Sequence, residues 1–87
     1  MYFYVYMLLC VNKNYKISYV GYTTNPIKRL NLHNSSKGAK FTKGRRWKMI
    51  YKKRFNNKSL ALKYEYKLKK DIKLRKIIKE KYYENLA

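Results

Sequence analysis

The chain has 87 residues, of which 23 are lysine or arginine and four are aspartate or glutamate, so its formal net charge is +19. Hydrophobic residues make up 46% of the sequence, which excludes a disordered basic tail and is enough for the core of one small domain over residues 1–87. A surface this cationic predicts a polyanionic partner, most often a nucleic acid. The single cysteine, Cys10, excludes an internal disulfide and indicates a reducing compartment, the cytoplasm.

An apolar and aromatic stretch at the start of the chain predicts a β-hairpin. Its first eleven residues are too few to cross a membrane, and they lack the basic leading region and cleavage site of a signal peptide. Residues 2–10 favour a central or covered strand because both of its faces are apolar or aromatic. One face carries Tyr2, Tyr4 and Tyr6, and the other carries Phe3, Val5 and Met7. The turn is expected at Asn12-Lys13-Asn14 and the second strand at residues 16–22.

A short helix follows the hairpin. Thr24 or Asn25 can cap it, and Pro26 fits its first turn. The helix is expected to end at about residue 33, with Ile27 and Leu30 facing the core.

A basic loop, a third strand and two further helices complete the predicted elements. The loop spans residues 34–46 and carries five basic residues, and the strand spans residues 47–55. Ser59 can cap the next helix. The residues expected on the buried face of that helix are Leu60, Ala61, Tyr64 and Leu68. A last helix over about residues 71–85 has Leu74, Ile77 and Ile78 as its apolar side. The order ββαβα plus a terminal helix predicts an α+β fold with a small three-stranded antiparallel sheet flanked by helices.

Several residues recur at the spacing of a known family. Tyr4-Val5-Tyr6 is followed by Tyr19-Val20-Gly21, thirteen residues after Tyr6, and Arg29 lies eight residues after Gly21. His33 comes four residues after Arg29, and Glu65 lies early in the second helix. In this order, over about residues 2–70, these elements resemble the GIY-YIG nuclease superfamily. Residues 38–42 and the start of the second helix resemble its small stand-alone branch, the YhbQ-type proteins, which are related to the SLX-type structure-specific nucleases.

The resemblance implies a divalent-metal-dependent endonuclease that hydrolyses DNA phosphodiester bonds in repair or recombination, with structure-selective or non-specific cutting. Glu65 would be the protein ligand for Mg²⁺ or Mn²⁺. Its alternative is an ion pair with Lys69 on the helix surface. Arg29 would clamp the scissile phosphate with its planar guanidinium.

The same resemblance gives roles to two tyrosines and the only histidine. Tyr6 and Tyr19 would flank the attacking water, and Tyr19 is favoured as the proton acceptor with Tyr6 as its partner. The alternative is that both are packed sheet residues. His33 would assist the water or a tyrosine, or donate to the phosphate. Gly21 would matter for backbone geometry near the substrate.

A run of nine cations without an acid lies between residues 37 and 54. The cations expected to bind the nucleic-acid backbone are Lys40, Lys43, Arg45 and Arg46. Trp47 lies among them and either stacks on a base or belongs to the core.

Two other functions fit the composition. The first is a non-catalytic nucleic-acid-binding module associated with the ribosome or nucleoid. The second is a binder of anionic membranes through the last helix, whose apolar side is instead expected to be buried. The interpretation adopted is DNA as partner, no membrane, a cytoplasmic location at the nucleoid, and specificity supplied by a partner protein or a homodimer.

Overall fold

The computed structural model describes residues 1–13 and 16–86, so Asn14 of the expected turn lies outside the described residues. The strands are β1 (Phe3–Cys10), β2 (Ser18–Thr23) and β3 (Trp47–Phe55), and the helices are α1 (Pro26–Asn34), α2 (Lys58–Lys70) and α3 (Ile72–Leu86). A short 3₁₀ turn covers Lys40–Thr42. The predicted α+β fold with an antiparallel three-stranded sheet is confirmed. Within the described residues, none of the helices is long and apolar enough to span a bilayer.

The strands form one sheet in the order β2-β1-β3, so β1 is the central strand, as its two apolar faces predict. Both pairings are antiparallel. Tyr6 lies opposite Gly21 on one side and opposite Lys52 on the other. The β1–β3 register shifts between Met7 and Leu8, where β3 contains one extra residue.

The two faces of the sheet are covered by different elements. Helices α2 and α3 cover one face, and the buried residues there are Val5, Met7, Val20, Ala61, Leu68 and Ile78. Helix α1 and the loop that follows it cover part of the other face, where the buried residues are Tyr6, Leu8, Cys10 and Trp47. The side chain of Leu30 packs against this second cluster. The second cluster contains the first of the predicted site tyrosines.

The structure corrects four local predictions. Ile27 is 76% exposed, because α1 packs on the sheet through Leu30 and His33, which lie later in the helix. Leu60 is 55% exposed and lies outside the core. It occupies the first turn of α2, and its backbone N–H bonds to Asn57, which caps the helix in place of Ser59. Ile77 is 48% exposed, because α3 packs through its neighbour Ile78.

Candidate active site

Tyr6 is fully buried at the middle of the central strand. Its cross-strand neighbour is Gly21. A Cβ atom at position 21 would lie 2.3 Å from the Tyr6 hydroxyl and 2.5 Å from the ring carbon that bears it. Glycine at position 21 therefore leaves the space that the phenol occupies, which is a steric role more specific than the expected effect on backbone geometry.

His33 is also fully buried, and it connects the sheet to the loop after α1. Its Nε2 lies 2.7 Å from the Tyr6 hydroxyl. Its Nδ1 lies 2.9 Å from Oγ1 of Thr42, another fully buried residue. The Thr42 hydroxyl donates to the carbonyl of Ala39 at 2.8 Å. Tyr6, His33, Thr42 and Ala39 thus form one hydrogen-bonded chain.

The hydrogen bond from the Thr42 hydroxyl to the Ala39 carbonyl determines the direction of the other hydrogen bonds in this series. Thr42 has a single hydroxyl proton, which it gives to Ala39, so its oxygen must accept a proton from His33 Nδ1. Nε2 is then the unprotonated nitrogen of a neutral imidazole and accepts the proton of the Tyr6 hydroxyl. The arrangement therefore presents His33 as a base toward the phenol.

The electrostatics agree with this direction. Burial lowers the pKa of His33, and the positive charge of Arg29 lowers it further, so the imidazole is neutral at pH 7. Burial raises the pKa of Tyr6 to about 12, and the neighbouring Tyr19 and Glu65 add to the rise. Arg29 opposes it through a hydrogen bond and its charge. Any loss of the Tyr6 proton thus depends on His33 and Arg29.

The end of α1 holds His33 in place. The chain leaves the helix through Ser36, whose φ is +62°. The N–H of Ser36 bonds to the His33 carbonyl at 3.2 Å, and that of Lys37 bonds to the Leu32 carbonyl at 2.8 Å, the pattern of a Schellman motif. The chain then passes Gly38 directly over the imidazole. A Cβ there would lie 2.3 Å from His33 Nδ1, so glycine is required at this contact.

Tyr19 lies beside this pair and is only partly buried. Its ring centre is 6.4 Å from that of Tyr6 and 5.1 Å from that of His33. Phe41, which is 49% exposed, stacks on its outer side with the ring centres 6.2 Å apart. The three predicted aromatic site residues therefore converge, with Tyr19 nearest to solvent.

Arg29 reaches the same place from α1. Its guanidinium approaches the Tyr6 hydroxyl closely enough to act on the pKa of that group. Its Nε is buried and has no hydrogen-bond partner among residues 1–13 and 16–86. A buried charged donor without an acceptor is costly, and a phosphate oxygen is an acceptor that suits guanidinium geometry.

Glu65 approaches from α2. Its side chain is only 19% exposed, and its negative charge adds to the rise in the pKa of Tyr6 that burial mainly causes. Both sequence interpretations of Glu65 remain compatible with this position, because Lys69 Nζ also lies 3.5 Å from the carboxylate. That ion pair is half-exposed on the lysine side and stabilises the fold little.

The carboxylate suits a hard divalent cation. No cluster of three or more His, Cys, Asp or Glu side chains occurs in the described part of the chain. Glu65 would be a protein ligand of a cation held here, with water and phosphate oxygens completing the shell, an arrangement that Mg²⁺ commonly adopts.

The predicted nucleic-acid-binding residues divide into two kinds. Lys40, Lys43 and Arg46 are exposed beside the site. Arg45 is partly buried: its Nη1 donates to the Phe41 carbonyl at 2.6 Å, and its guanidinium lies 5.0 Å from the centre of the Phe41 ring. Arg45 therefore holds the Lys40–Thr42 turn in place.

Trp47 belongs to the core, the second of its two interpretations. It is 3% exposed, and its indole N–H donates to the Thr42 carbonyl at 3.0 Å. Sequence reasoning missed Thr42, since a lone threonine in a loop carries no signal of burial. The glycine five residues after the only histidine was the one local indication that the loop closes over the ring.

Comparisons with known proteins identify the family of the chain. The family model described as the GIY-YIG catalytic domain matches residues 2–82. A UPF0213 protein of Oceanobacillus iheyensis is 45% identical over 67 residues, which cover 76% of this chain and 74% of that protein. Another, from Streptococcus agalactiae, is 37% identical over 94% of this chain and 91% of that protein. The solution NMR structure of a UPF0213 protein from Bacillus halodurans aligns with a TM-score of 0.49 at 36% identity, over 87% of this chain and 79% of that chain.

The matched region contains every side chain of the site, from Tyr6 to Glu65. The chain therefore belongs to the GIY-YIG catalytic domain family, a family of nucleases, and is similar to the small UPF0213 proteins.

Proposed function

We propose that this chain is a divalent-metal-dependent endonuclease that hydrolyses DNA phosphodiester bonds, with Mg²⁺ or Mn²⁺ held by Glu65. The observation that carries the proposal is the buried chain from Tyr6 through His33 to Thr42, with Arg29 and Glu65 both acting on the pKa of the same phenol. A fully buried phenol bonded to a neutral imidazole is a reactive arrangement that packing alone does not require.

Hydrolysis needs a base for the attacking water and positive charge around the phosphate. In the proposed mechanism, Tyr6 takes a proton from the water while it gives its own proton to His33 Nε2. The imidazolium that forms keeps its Nδ1–H bond to Thr42. The hydrogen-bond directions support Tyr6 as this base, whereas the sequence favoured Tyr19.

Three other residues complete the proposed site. Arg29 binds a non-bridging phosphate oxygen, for which its unpaired Nε–H is suited. Tyr19, partly exposed beside His33, positions the water or the phosphate. A divalent cation held by Glu65 would supply Lewis-acid neutralisation of the phosphate charge. Because the described residues form one such site, each encounter with a duplex nicks one strand, and cutting both strands takes two encounters or a dimer. A role in DNA repair or recombination fits this chemistry.

The decisive assay is nicking of supercoiled plasmid and of branched oligonucleotides in Mg²⁺ or Mn²⁺. Glu65→Gln keeps the shape of the side chain but removes its charge, and we expect the nicking rate to fall by at least about a hundredfold. Glu80→Gln, which makes the same change on α3, is the matched control. If Glu65→Gln nicks as fast as the unmodified chain, the metal assignment is wrong.

One observation favours a second candidate, a nucleic-acid-binding module without catalysis. Glu65 is already paired with Lys69, as a structural glutamate would be. This candidate predicts tight, salt-dependent DNA binding with no cleavage of any substrate in either metal. The same assay, run beside a binding measurement, separates the two candidates.

A further inference from the structure

The sheet face that carries Tyr6 continues past the site into an aromatic and basic surface. Tyr4 lies opposite Arg54 in the β1–β3 pairing, as Tyr6 lies opposite Lys52. Directly opposed residues of antiparallel strands point to the same face of a sheet. Tyr4, Lys52 and Arg54 therefore share the face of Tyr6. Together with Tyr2, these residues form what we call the open strip.

The open strip is accessible and combines rings with cations. Tyr2 is 46% exposed, and both Lys52 and Arg54 are exposed. The Arg54 guanidinium lies 4.3 Å from the centre of the Tyr2 ring, and Lys52 Nζ lies 6.0 Å from the centre of the Tyr4 ring. The rings carried by the β1 end of the chain therefore lie beside the cations of the edge strand β3.

The open strip also continues directly from the site. Tyr4 is two residues from Tyr6 on the same strand face, a separation of about 7 Å. The exposed cations of the loop after α1 lie toward the other end of β1, where Trp47 pairs with Cys10 and bonds to Thr42. Tyr6 thus lies between the loop cations and the open strip.

From this placement we propose that the open strip binds an unpaired stretch of DNA strand immediately next to the phosphate at Tyr6. The position of that phosphate rests on the proposed function. Cations alone are enough to bind the backbone of a duplex. Each base of a duplex is stacked between neighbouring bases and is not free to stack on a protein ring. Exposed rings beside cations suit a single strand, because its bases can stack on the rings while its phosphates contact Lys52 and Arg54. The substrate class is then DNA with a single-stranded arm at the cleavage point, such as a flap or a splayed fork.

The test compares DNA binding of matched variants in EDTA, where no cleavage occurs. The double variant Tyr2→Leu/Tyr4→Leu removes the rings and keeps apolar bulk, whereas Tyr2→Phe/Tyr4→Phe keeps the rings. We expect the leucine variant to bind a fluorescent single-stranded oligonucleotide about tenfold more weakly and a duplex of the same length unchanged. The phenylalanine variant should bind both as the unmodified chain does.

A matched cation–ring pair elsewhere provides the control. Lys70 Nζ lies 4.2 Å from the centre of the exposed Tyr66 ring on α2. Tyr66→Leu should leave single-strand binding unchanged. Unchanged single-strand binding by the leucine double variant, or an equal loss for single strand and duplex, would overturn the open strip as a single-strand site. Tighter binding of the ribo-oligonucleotide of the same sequence would overturn its assignment to DNA.

The contribution of the open strip's cations is tested by the salt dependence of single-strand binding. Lys52→Gln/Arg54→Gln should reduce the slope of log affinity against log salt for the single strand by about 1.4, since each phosphate contact contributes about 0.7. An unchanged slope would contradict their contact with the strand.

Two further measurements keep the result interpretable. If the leucine variant fails to fold by circular dichroism, photo-crosslinking of a bromouracil oligonucleotide to the unmodified chain decides: adducts on Tyr2 or Tyr4 support the open strip, and adducts confined to other residues overturn it. Binding is measured in EDTA and is therefore independent of cleavage. Ring-dependent single-strand binding without any nicking in metal would contradict the nuclease proposal and leave the open strip supported. Nicking together with single-strand binding that does not depend on the Tyr2 and Tyr4 rings would contradict the open strip and leave the nuclease proposal supported.

Discussion

At Tyr6, burial and reactivity act against each other. Burial raises the pKa of its phenol to about 12, so the hydroxyl alone would hold its proton throughout the physiological range. His33 Nε2, which lies 2.7 Å away, can accept that proton. The imidazole can accept it only in the tautomer that Thr42 selects at Nδ1. The reactivity of one residue is therefore set by two others, and one of these carries no sequence signal.

Thr42→Val tests this dependence, because valine matches the shape of threonine without the hydroxyl. It leaves the buried His33 Nδ1–H unpaired, while the Ala39 carbonyl keeps its bond from the Thr42 backbone N–H, so we expect a loss of about 1–3 kcal/mol in the free energy of unfolding. The nicking kcat should fall at least about tenfold with little change in KM, because the base is misoriented while the substrate contacts remain. Thr42→Ser should restore both quantities. Equal kcat for the valine and serine variants would contradict the positioning role.

The lowered pKa of His33 predicts how stability depends on pH. The unfolded chain binds a proton at this residue at about pH 6.5, the ordinary pKa of histidine, and the folded chain binds it only at lower pH. Between these two pH values the unfolded state carries more protons, so the contribution of His33 is present above about pH 6.5 and is lost as the pH falls. The Tm should therefore decline below that pH. His33→Gln, which has no titrating group there, should show a shallower decline, and an identical decline would exclude His33 as the cause.

Among the elements, the joint between α2 and α3 depends on a single side chain. Asp71 ends α2, with its N–H bonded to the Lys67 carbonyl at 2.9 Å, and its carboxylate accepts the Leu74 N–H at 2.9 Å to begin α3. The sequence offered only a lone aspartate in a lysine-rich stretch to mark this boundary. The same side chain type is a common helix cap, which explains why two helices follow each other with one residue between them.

Asp71→Ala should therefore destabilise the fold by about 1 kcal/mol, the usual value of an N-cap, as measured by urea unfolding. Asp71→Asn keeps an oxygen acceptor and should cost only a few tenths of that amount. Because α3 packs on the face of the sheet opposite Tyr6, nicking by the folded alanine variant should be unchanged. A variant that loses activity at full stability would show that this joint takes part in the site.

The order of the strands and helices was predicted better than the side of each helix that is buried. Period-two patterning and turn residues were enough to give the element order and the central place of β1. They could not indicate how far along each helix the contact with the sheet extends, which is why Ile27 and Leu60 were expected inside. The convergence of the site residues could be predicted because their order along the chain resembles that of a known family. Thr42 and the hydrogen-bond directions required coordinates, because they depend on which way a loop folds over an imidazole.

For the whole molecule, the shortage of acids leaves most cations without carboxylate partners, and several lie over aromatic rings instead. Lys53 Nζ, for example, is 4.8 Å from the centre of the Tyr64 ring, and Arg54 is 4.3 Å from that of Tyr2. Such pairs are worth about 0.5–1 kcal/mol each at exposed sites. A net charge of +19 still repels itself, so a bound polyanion should stabilise the fold.

The distribution of charge gives a prediction at this scale. Lys40→Gln/Lys43→Gln/Arg46→Gln removes three exposed cations beside the site, and the slope of log affinity for duplex DNA against log salt should fall by about 2.7. Lys67→Gln/Lys73→Gln/Lys76→Gln removes the same charge from exposed positions on α2 and α3. Fluorescence anisotropy over a salt series compares the two sets. Equal slopes would mean that DNA responds to total charge and makes no preferred contact with the loop.

The placement of Tyr6 at the centre of β1 has an evolutionary consequence. A relative without the proposed DNA cleavage would still need an aromatic ring at this position to fill the middle of its sheet, so retention of the ring alone is poor evidence of an active enzyme. The first change expected under relaxed selection is loss of the phenol oxygen, seen as phenylalanine at position 6. An apolar residue should then replace the histidine at position 33. That paired exchange is the pattern by which an inactive descendant of this fold can be recognised.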